Sequence, residues 1–196
     1  FKPLTFALML SLGTAQILPA QAQVIADPNA PKTQQATILP TASGATQINI
    51  QKPTEGGVSM NQYKQFDTQS NGTILNNSRT NTNTQTAGWI QGNPWLAGGT
   101  ARIIVNQVNS SNPTHLTGNI EIAGNKAEVI ISNPVGILVN GTTFLNASRT
   151  TLSTGKPIIE NGLLMGHQVD QGQISIEGQG LNVQGSDYTD LLARAV

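Results

Sequence analysis

Residues able to carry out acid–base or nucleophilic chemistry are few and scattered. The chain has two histidines, His115 and His167, no cysteine, and ten carboxylates. Hydrolysis needs a base together with a nucleophile or a metal. No histidine pair has metal-ligand spacing, and neither a Gly-x-Ser-x-Gly elbow nor a phosphate-binding glycine loop occurs. A polysaccharide lyase would have to gather Asp67, Glu121, Glu128 and Asp170 on one face, and nothing in their spacing does so. His167 follows Gly162-Leu163-Leu164-Met165-Gly166 and reads as a surface residue. The expectation is a protein without enzymatic activity, metal, cofactor or small-molecule substrate. Zero net charge and a pI near 6.9 give no electrostatic footprint for nucleic acid or an anionic membrane.

The elements that would position any site are short strands. Aromatic residues make up 4% and charged residues 10% of the chain, so a disordered, highly charged sequence is excluded. Ile48-Asn49-Ile50, Ile120-Glu121-Ile122, Ile174-Ser175-Ile176 and Leu181-Asn182-Val183 alternate between apolar and polar, and no window sustains a helical period. Between Val129-Ile130-Ile131 and Ile137-Leu138-Val139 lies Asn133-Pro134-Val135-Gly136, which reads as a type I turn. Asn133 caps it with its own side chain, Pro134 presets φ at the second position, and Gly136 falls at the fourth. With no Asn-Gly or Gly-x pair at its centre it is not a two-residue hairpin, and it reads as a corner between two sheets. Asn93-Pro94-Trp95-Leu96 repeats the pattern ahead of the strand-like run Ala101–Val108. The asparagine of such a turn is expected to contribute only about 1 kcal/mol to the fold.

Internal repetition points to the architecture. Gly118-Asn119-Ile120-Glu121-Ile122-Ala123-Gly124 matches Gly172-Gln173-Ile174-Ser175-Ile176-Glu177-Gly178, and the stretch from Ile74 to Thr80 resembles that from Phe144 to Thr150. Short alternating strands joined by polar corners and weakly repeated are what a β-solenoid needs; a β-sandwich is the competing all-β arrangement. At about 20 residues and about 4.8 Å per coil, residues 23–196 would form about eight or nine coils, about 40 Å in length. Ile122, Ile137 and Ile176 are expected to face the core, with Glu121 and Ser175 at the surface.

The two corners, with Leu145-Asn146 and Leu152-Ser153-Thr154-Gly155, resemble the N-terminal secretion domain of two-partner secretion exoproteins. That group comprises filamentous haemagglutinins, haemolysins and contact-dependent inhibition toxins. The resemblance extends to Gly57-Val58-Ser59-Met60-Asn61-Gln62-Tyr63, Leu75-Asn76-Asn77-Ser78, Asn140-Gly141-Thr142-Thr143-Phe144 and Asp190–Val196. The family's corners commonly carry Asn at the third position, where this chain has Trp95 and Val135. The resemblance implies a right-handed parallel β-helix closed by an N-terminal β cap, in an all-β domain. It also implies a partner, an outer-membrane β-barrel transporter with periplasmic POTRA domains. Asn93, Pro94, Trp95, Leu96, Asn133, Pro134, Val135, Gly136 and Ile137 become the candidate recognition and turn residues.

Residues 1–22 read as the C-terminal part of a signal peptide, with Lys2, an apolar run from Leu4 to Leu12 and an Ala20-Gln21-Ala22 cleavage site. Residues 23–60 are expected to form an extension and cap, and residues 61–196 the β-helix. The segment Asp187–Val196 reads either as a short helix or, by resemblance, as the start of further coils of a longer exoprotein. A monomer exported through the periplasm of a Gram-negative bacterium to its surface or medium is the expectation. For an exported chain, the absence of cysteine removes cross-links that would hinder passage through a pore. The rival function is an adhesive module that binds glycan or protein along its flank, for which Trp89 and Trp95 offer stacking surfaces.

Overall fold

In a computed structural model of the chain, residues 23–196 are described; the expected signal peptide lies outside them. Two short strands come first, β1 (Val24–Ala26) and β2 (Thr37–Pro40). The chain then crosses back and forth between two sheets with β3 (Thr46–Asn49), β4 (Val58–Phe66) and β5 (Thr73–Asn77). A hairpin follows, made of β6 (Thr82–Thr84) and β7 (Gly88–Ile90). The crossing resumes with β8 (Ile103–Val108), β9 (Thr114–Gly124), β10 (Ala127–Ser132), β11 (Ile137–Leu145) and β12 (Ala147–Ser153). A second hairpin, β13 (Lys156–Glu160) and β14 (Leu163–Gln168), precedes β15 (Ile174–Ile176), β16 (Leu181–Asn182) and β17 (Thr189–Leu192).

One sheet has the order β1-β4-β8-β10-β12-β17 and the other β15-β11-β9-β5-β3-β2, with β16 also on β11. Only the cap strands β1 and β2 pair antiparallel within these sheets; the other neighbours run parallel. A chain that leaves a sheet and returns to it one strand further on, always in the same direction, is a parallel β-helix. The all-β solenoid is therefore present and the sandwich is not. Parallel stacking begins at β3, within residues 23–60, so the antiparallel cap proper is β1 and β2.

The stack holds five coils, β3 with β4, β5 with β8, β9 with β10, β11 with β12, and β15 and β16 with β17. Eight or nine was an overcount, because residues 78–100 and 155–173 leave the stack to form the hairpins and their connections. The sequence repeats also fail to mark the stacking register. Ile174 lies beside Ile137, which lies beside Thr114, whereas Ile120 lies beside Phe144. The segment proposed as a terminal helix contains β17, paired in parallel with β12. β9 and β11 each bend partway, where their mutual register shifts between Val139 and Thr142. Gly118 makes one bend at φ +74°, and a Cβ there would lie 2.2 Å from the Gln69 carbonyl oxygen, so only glycine fits.

Side chains between the sheets form one apolar core in which Ile48, Leu75 and Ile122 stack in register. Tyr63 and Phe66 close its N-terminal end edge to face, with centroids 5.0 Å apart. Ile122 and Ile137 are buried as alternation predicts, but Ile176 is 42% exposed. β15 is the last strand of its sheet, and the Ala195 segment pairs beside its start at Gln173 and Ile174, leaving Ile176 with β11 alone as its paired strand. Glu121 faces away from this core, yet it is buried beneath the first hairpin. Its carboxylate accepts hydrogen bonds from the Gln85 and Thr86 N–H groups at 2.9 and 2.8 Å.

Both hairpins cover outer sheet faces. Ile90 and Ala87 of the first pack on Ala45, Ile74 and Ala123. Ile159 and Leu164 of the second pack on Val58, Val105 and Ile130, a stripe that crosses successive coils. The tip of the second hairpin reaches the first coil, where Thr54 Oγ1 donates to the Gly162 carbonyl at 2.6 Å. His167 on β14 is half-buried rather than on the surface, and its Nδ1 is buried without a hydrogen-bond partner among the described residues. Burial, with Arg149 nearby, holds its imidazole below the ordinary value.

Truncating Ile122 or Ile137 to Ala should cost about 2 to 5 kcal/mol, whereas Ile176→Ala should cost much less. Glu121→Ala should cost about 1 to 3 kcal/mol, because two amide groups under the hairpin lose their acceptor. Urea titrations check both, and equal tolerance at Ile137 and Ile176 would contradict the packing. The neutral His167 is favoured in the fold, so its contribution is complete above about pH 6.5 and is lost as pH falls through the lower folded-state value. Hydrogen-exchange protection of β13 and β14 should therefore fall on acidification, and His167→Gln should remove that dependence.

Candidate functional site

The two Asn-Pro corners differ in place but share a construction. Asn133 joins β10 of the six-stranded sheet to β11 of the other. Its carbonyl accepts from the Gly136 N–H at 3.1 Å, the expected turn hydrogen bond, and its side-chain Oδ1 accepts from the Val135 N–H at 3.0 Å. Asn93 lies on the path from β5 to β8, where the chain crosses in the opposite sense. Its carbonyl accepts from the Leu96 N–H at 3.2 Å and its Oδ1 from the Trp95 N–H at 3.0 Å, opening a short 3-10 turn over Pro94–Leu96. Proline at the second position of each turn has no N–H to satisfy and presets the backbone.

What alternation and turn chemistry did not reveal is the other end of each amide. Asn133 Nδ2 donates to the Asn112 carbonyl at 2.9 Å and to Thr114 Oγ1 at 3.0 Å, both on the preceding coil. Asn93 Nδ2 donates to the Ile50 and Asn76 carbonyls at 2.8 and 2.9 Å. The asparagines are 0% and 2% exposed respectively. Each side chain thus closes its own turn with one end and fastens an earlier part of the chain with the other. Asn112-Pro113 is a third Asn-Pro pair, placed one coil before Asn133, and its recurrence in the sequence was the available signal.

Of the nine candidate residues, Asn93, Leu96, Asn133, Gly136 and Ile137 are buried, Pro134 is partly covered, and Pro94, Trp95 and Val135 are exposed. The third position of each turn points outward. Trp95 lies against the cap, where its Nε1 donates to Thr37 Oγ1 at 3.1 Å.

The acids considered for catalysis serve four separate local structures. The buried Asp67 accepts from the His115 N–H at 2.7 Å and lies 3.4 Å from His115 Nδ1. Glu121 holds the first hairpin, and Asp170 accepts from Gln168. Burial raises the Glu128 carboxyl above its ordinary range, with Arg149 opposing that rise. No group of three His, Cys, Asp or Glu suited to a metal ion occurs among the described residues.

The buried amides revise the expected cost of losing a corner. Asn133→Ala strands the Val135 N–H, the Asn112 carbonyl and Thr114 Oγ1, so it should destabilise the fold by about 2 to 4 kcal/mol rather than about 1. Val135→Ala should change stability by less than about 0.5 kcal/mol. Equal urea midpoints for the two variants would refute the fastening role of the amide.

Comparison with known proteins gives a consistent answer. The TPS secretion domain family profile matches residues 22–196. Toxin CdiA of Yersinia pestis is 52% identical over 195 residues, which is 100% of this chain and 6% of that protein. The tRNA nuclease CdiA-2 of Burkholderia pseudomallei (strain 1026b) is 50% identical over 162 residues, 82% of this chain and 5% of that protein. The crystal structure of the filamentous hemagglutinin secretion domain superposes with a TM-score of 0.80 at 36% identity, covering 87% of this chain and 55% of that one. The toxin and nuclease names describe whole proteins of which this chain spans a small fraction, and the part it spans is the one the profile matches. The chain belongs to the TPS secretion domain family.

Proposed function

We propose that this domain directs a large exoprotein to its dedicated outer-membrane β-barrel transporter and seeds β-helix growth outside the cell. In this reading POTRA modules in the periplasm of a Gram-negative bacterium capture the chain as an extended monomer. Short strands with unpaired backbone suit capture by strand addition to a receptor sheet. The segments recognised are Asn93, Pro94, Trp95 and Leu96, and Asn133, Pro134, Val135, Gly136 and Ile137. The domain itself performs no catalysis, and the toxin activities named for its relatives belong to the rest of those proteins.

The observation that carries the reading is the burial of both corner asparagines. In an extended chain their amides are open to a receptor; in the folded coil they are closed off. Folding therefore withdraws the recognition signal, which favours release outside. The amide partners, Ile50 and Asn76 for Asn93 and Asn112 and Thr114 for Asn133, all precede their corner in the sequence. Each corner can thus lock onto chain that has already emerged when export runs from the N-terminus.

Stability and recognition are separated by a matched pair. Asn133→Ala is compared with Ile131→Ala, a core truncation chosen to give an equal urea midpoint, in strains with and without the transporter. Secretion of Asn133→Ala should fall well below that of the matched variant, with protein lost in the periplasm. Equal secretion of the two would leave stability as the whole explanation and overturn the corner assignment.

A further inference from the structure

A groove of about 540 Å³ runs between the cap and the first hairpin. Pro94 of the first corner lines it, but neither corner asparagine does. One wall is Leu39 and Pro40 at the end of β2; the other is Trp89 and Gln91 at β7; Gln47 and Asn49 of β3 also line it. Trp89 is 75% exposed, leaving most of its indole free for contact. This volume is in the range of small-ligand sites, about 300 to 1,000 Å³.

The two β3 amides are built to receive something polar. Gln47 and Asn49 are only 6% and 5% exposed. Asn49 Oδ1 accepts from Gln47 Nε2 at 2.9 Å and from Asn76 Nδ2 at 2.8 Å, which fixes its orientation. That arrangement leaves Asn49 Nδ2 and Gln47 Oε1, a donor and an acceptor on neighbouring side chains, without a hydrogen-bond partner among the described residues. Neither atom is sealed from solvent, so both are open to hydrogen-bond a ligand's hydroxyls. No lining residue carries a charge.

We propose that this groove binds a neutral hexopyranose unit of a glycan. A pyranose offers adjacent hydroxyls, each donor and acceptor, to the Asn49 and Gln47 amides, and an apolar C–H face to the Trp89 indole. An acidic sugar would lack a cationic partner, and a purely apolar segment would leave the two amide atoms unmet. The inference goes beyond the secretion reading and rests on residues other than Pro94, the one residue the groove shares with the first corner.

The test uses the purified chain in a Trp95→Phe background, so that indole emission reports Trp89. Lactose, maltose, cellobiose and mannobiose are titrated by fluorescence and by saturation-transfer NMR, with sialyllactose and a proline-rich peptide as comparators. At least one neutral disaccharide should bind saturably and shift the emission. Trp89→Ala and Gln47→Ala, followed by NMR, should each weaken that binding by about tenfold. Because Trp89 is exposed, its variant keeps the wild-type urea midpoint and remains informative if Gln47→Ala destabilises the chain. The proposal is overturned if no neutral disaccharide binds saturably, if binding is unchanged in Trp89→Ala, or if only the acidic sugar or the peptide binds.

Discussion

Asn133 is sealed from water, so its amide must find its hydrogen-bond partners inside the protein, and the shape of the coil follows from how it does so. A parallel β-helix has to change direction at every corner, and each change interrupts the backbone ladder that satisfies a strand. At Asn133 the interruption is repaired in two directions. Oδ1 takes the N–H that the turn exposes, while Nδ2 reaches back to the previous coil. Asn93 does the same at a crossing of opposite sense. With the polar groups held at the corners, the interior can be given over to stacked Ile, Leu and Val.

Burial at the corners also explains what the turn leaves free. The third position of each turn donates its backbone N–H to the asparagine, but its side chain points outward. Trp95 and Val135 occupy this position, and the turn accommodates both because its own hydrogen bond there uses the backbone N–H. Trp95 gains a contact with the cap through Thr37, whereas Val135 stays exposed.

The outer faces follow a second constraint. Alternation along a strand sends every other side chain outward, and several of these are apolar, including Val58, Val105, Ile130, Ile74 and Ala123. The two hairpins remove them from water. Because the second hairpin lies across successive coils and its tip meets Thr54, it ties late coils to the first one, adding long-range contact to an architecture otherwise built from neighbours. Covering two faces this way takes chain out of the stack, which is why the domain has few coils for its length.

The sequence by itself determined the local structure and much of the class. Alternating Ile and Val between glycine and asparagine specified strands and Asn-Pro specified corners, since each of these depends on neighbouring residues alone, and weak repetition pointed to a solenoid without giving its register. It placed Ile122 and Ile137 in the core correctly. Tertiary structure decided the rest. Ile174 and Ile176 have the same local pattern and both lie beside β11, but only Ile174 is buried; its N–H donates to the Ala195 carbonyl at 3.0 Å, so a further segment lies on its other side. Glu121 alternates outward like a surface residue, and only the arrival of a hairpin from residues 82–90 buries it. The corner asparagines were legible as turn caps, but their hold on the preceding coil was not. That hold depends on coil-to-coil register, which is set by the packing of segments distant in sequence and which the internal repeats do not encode.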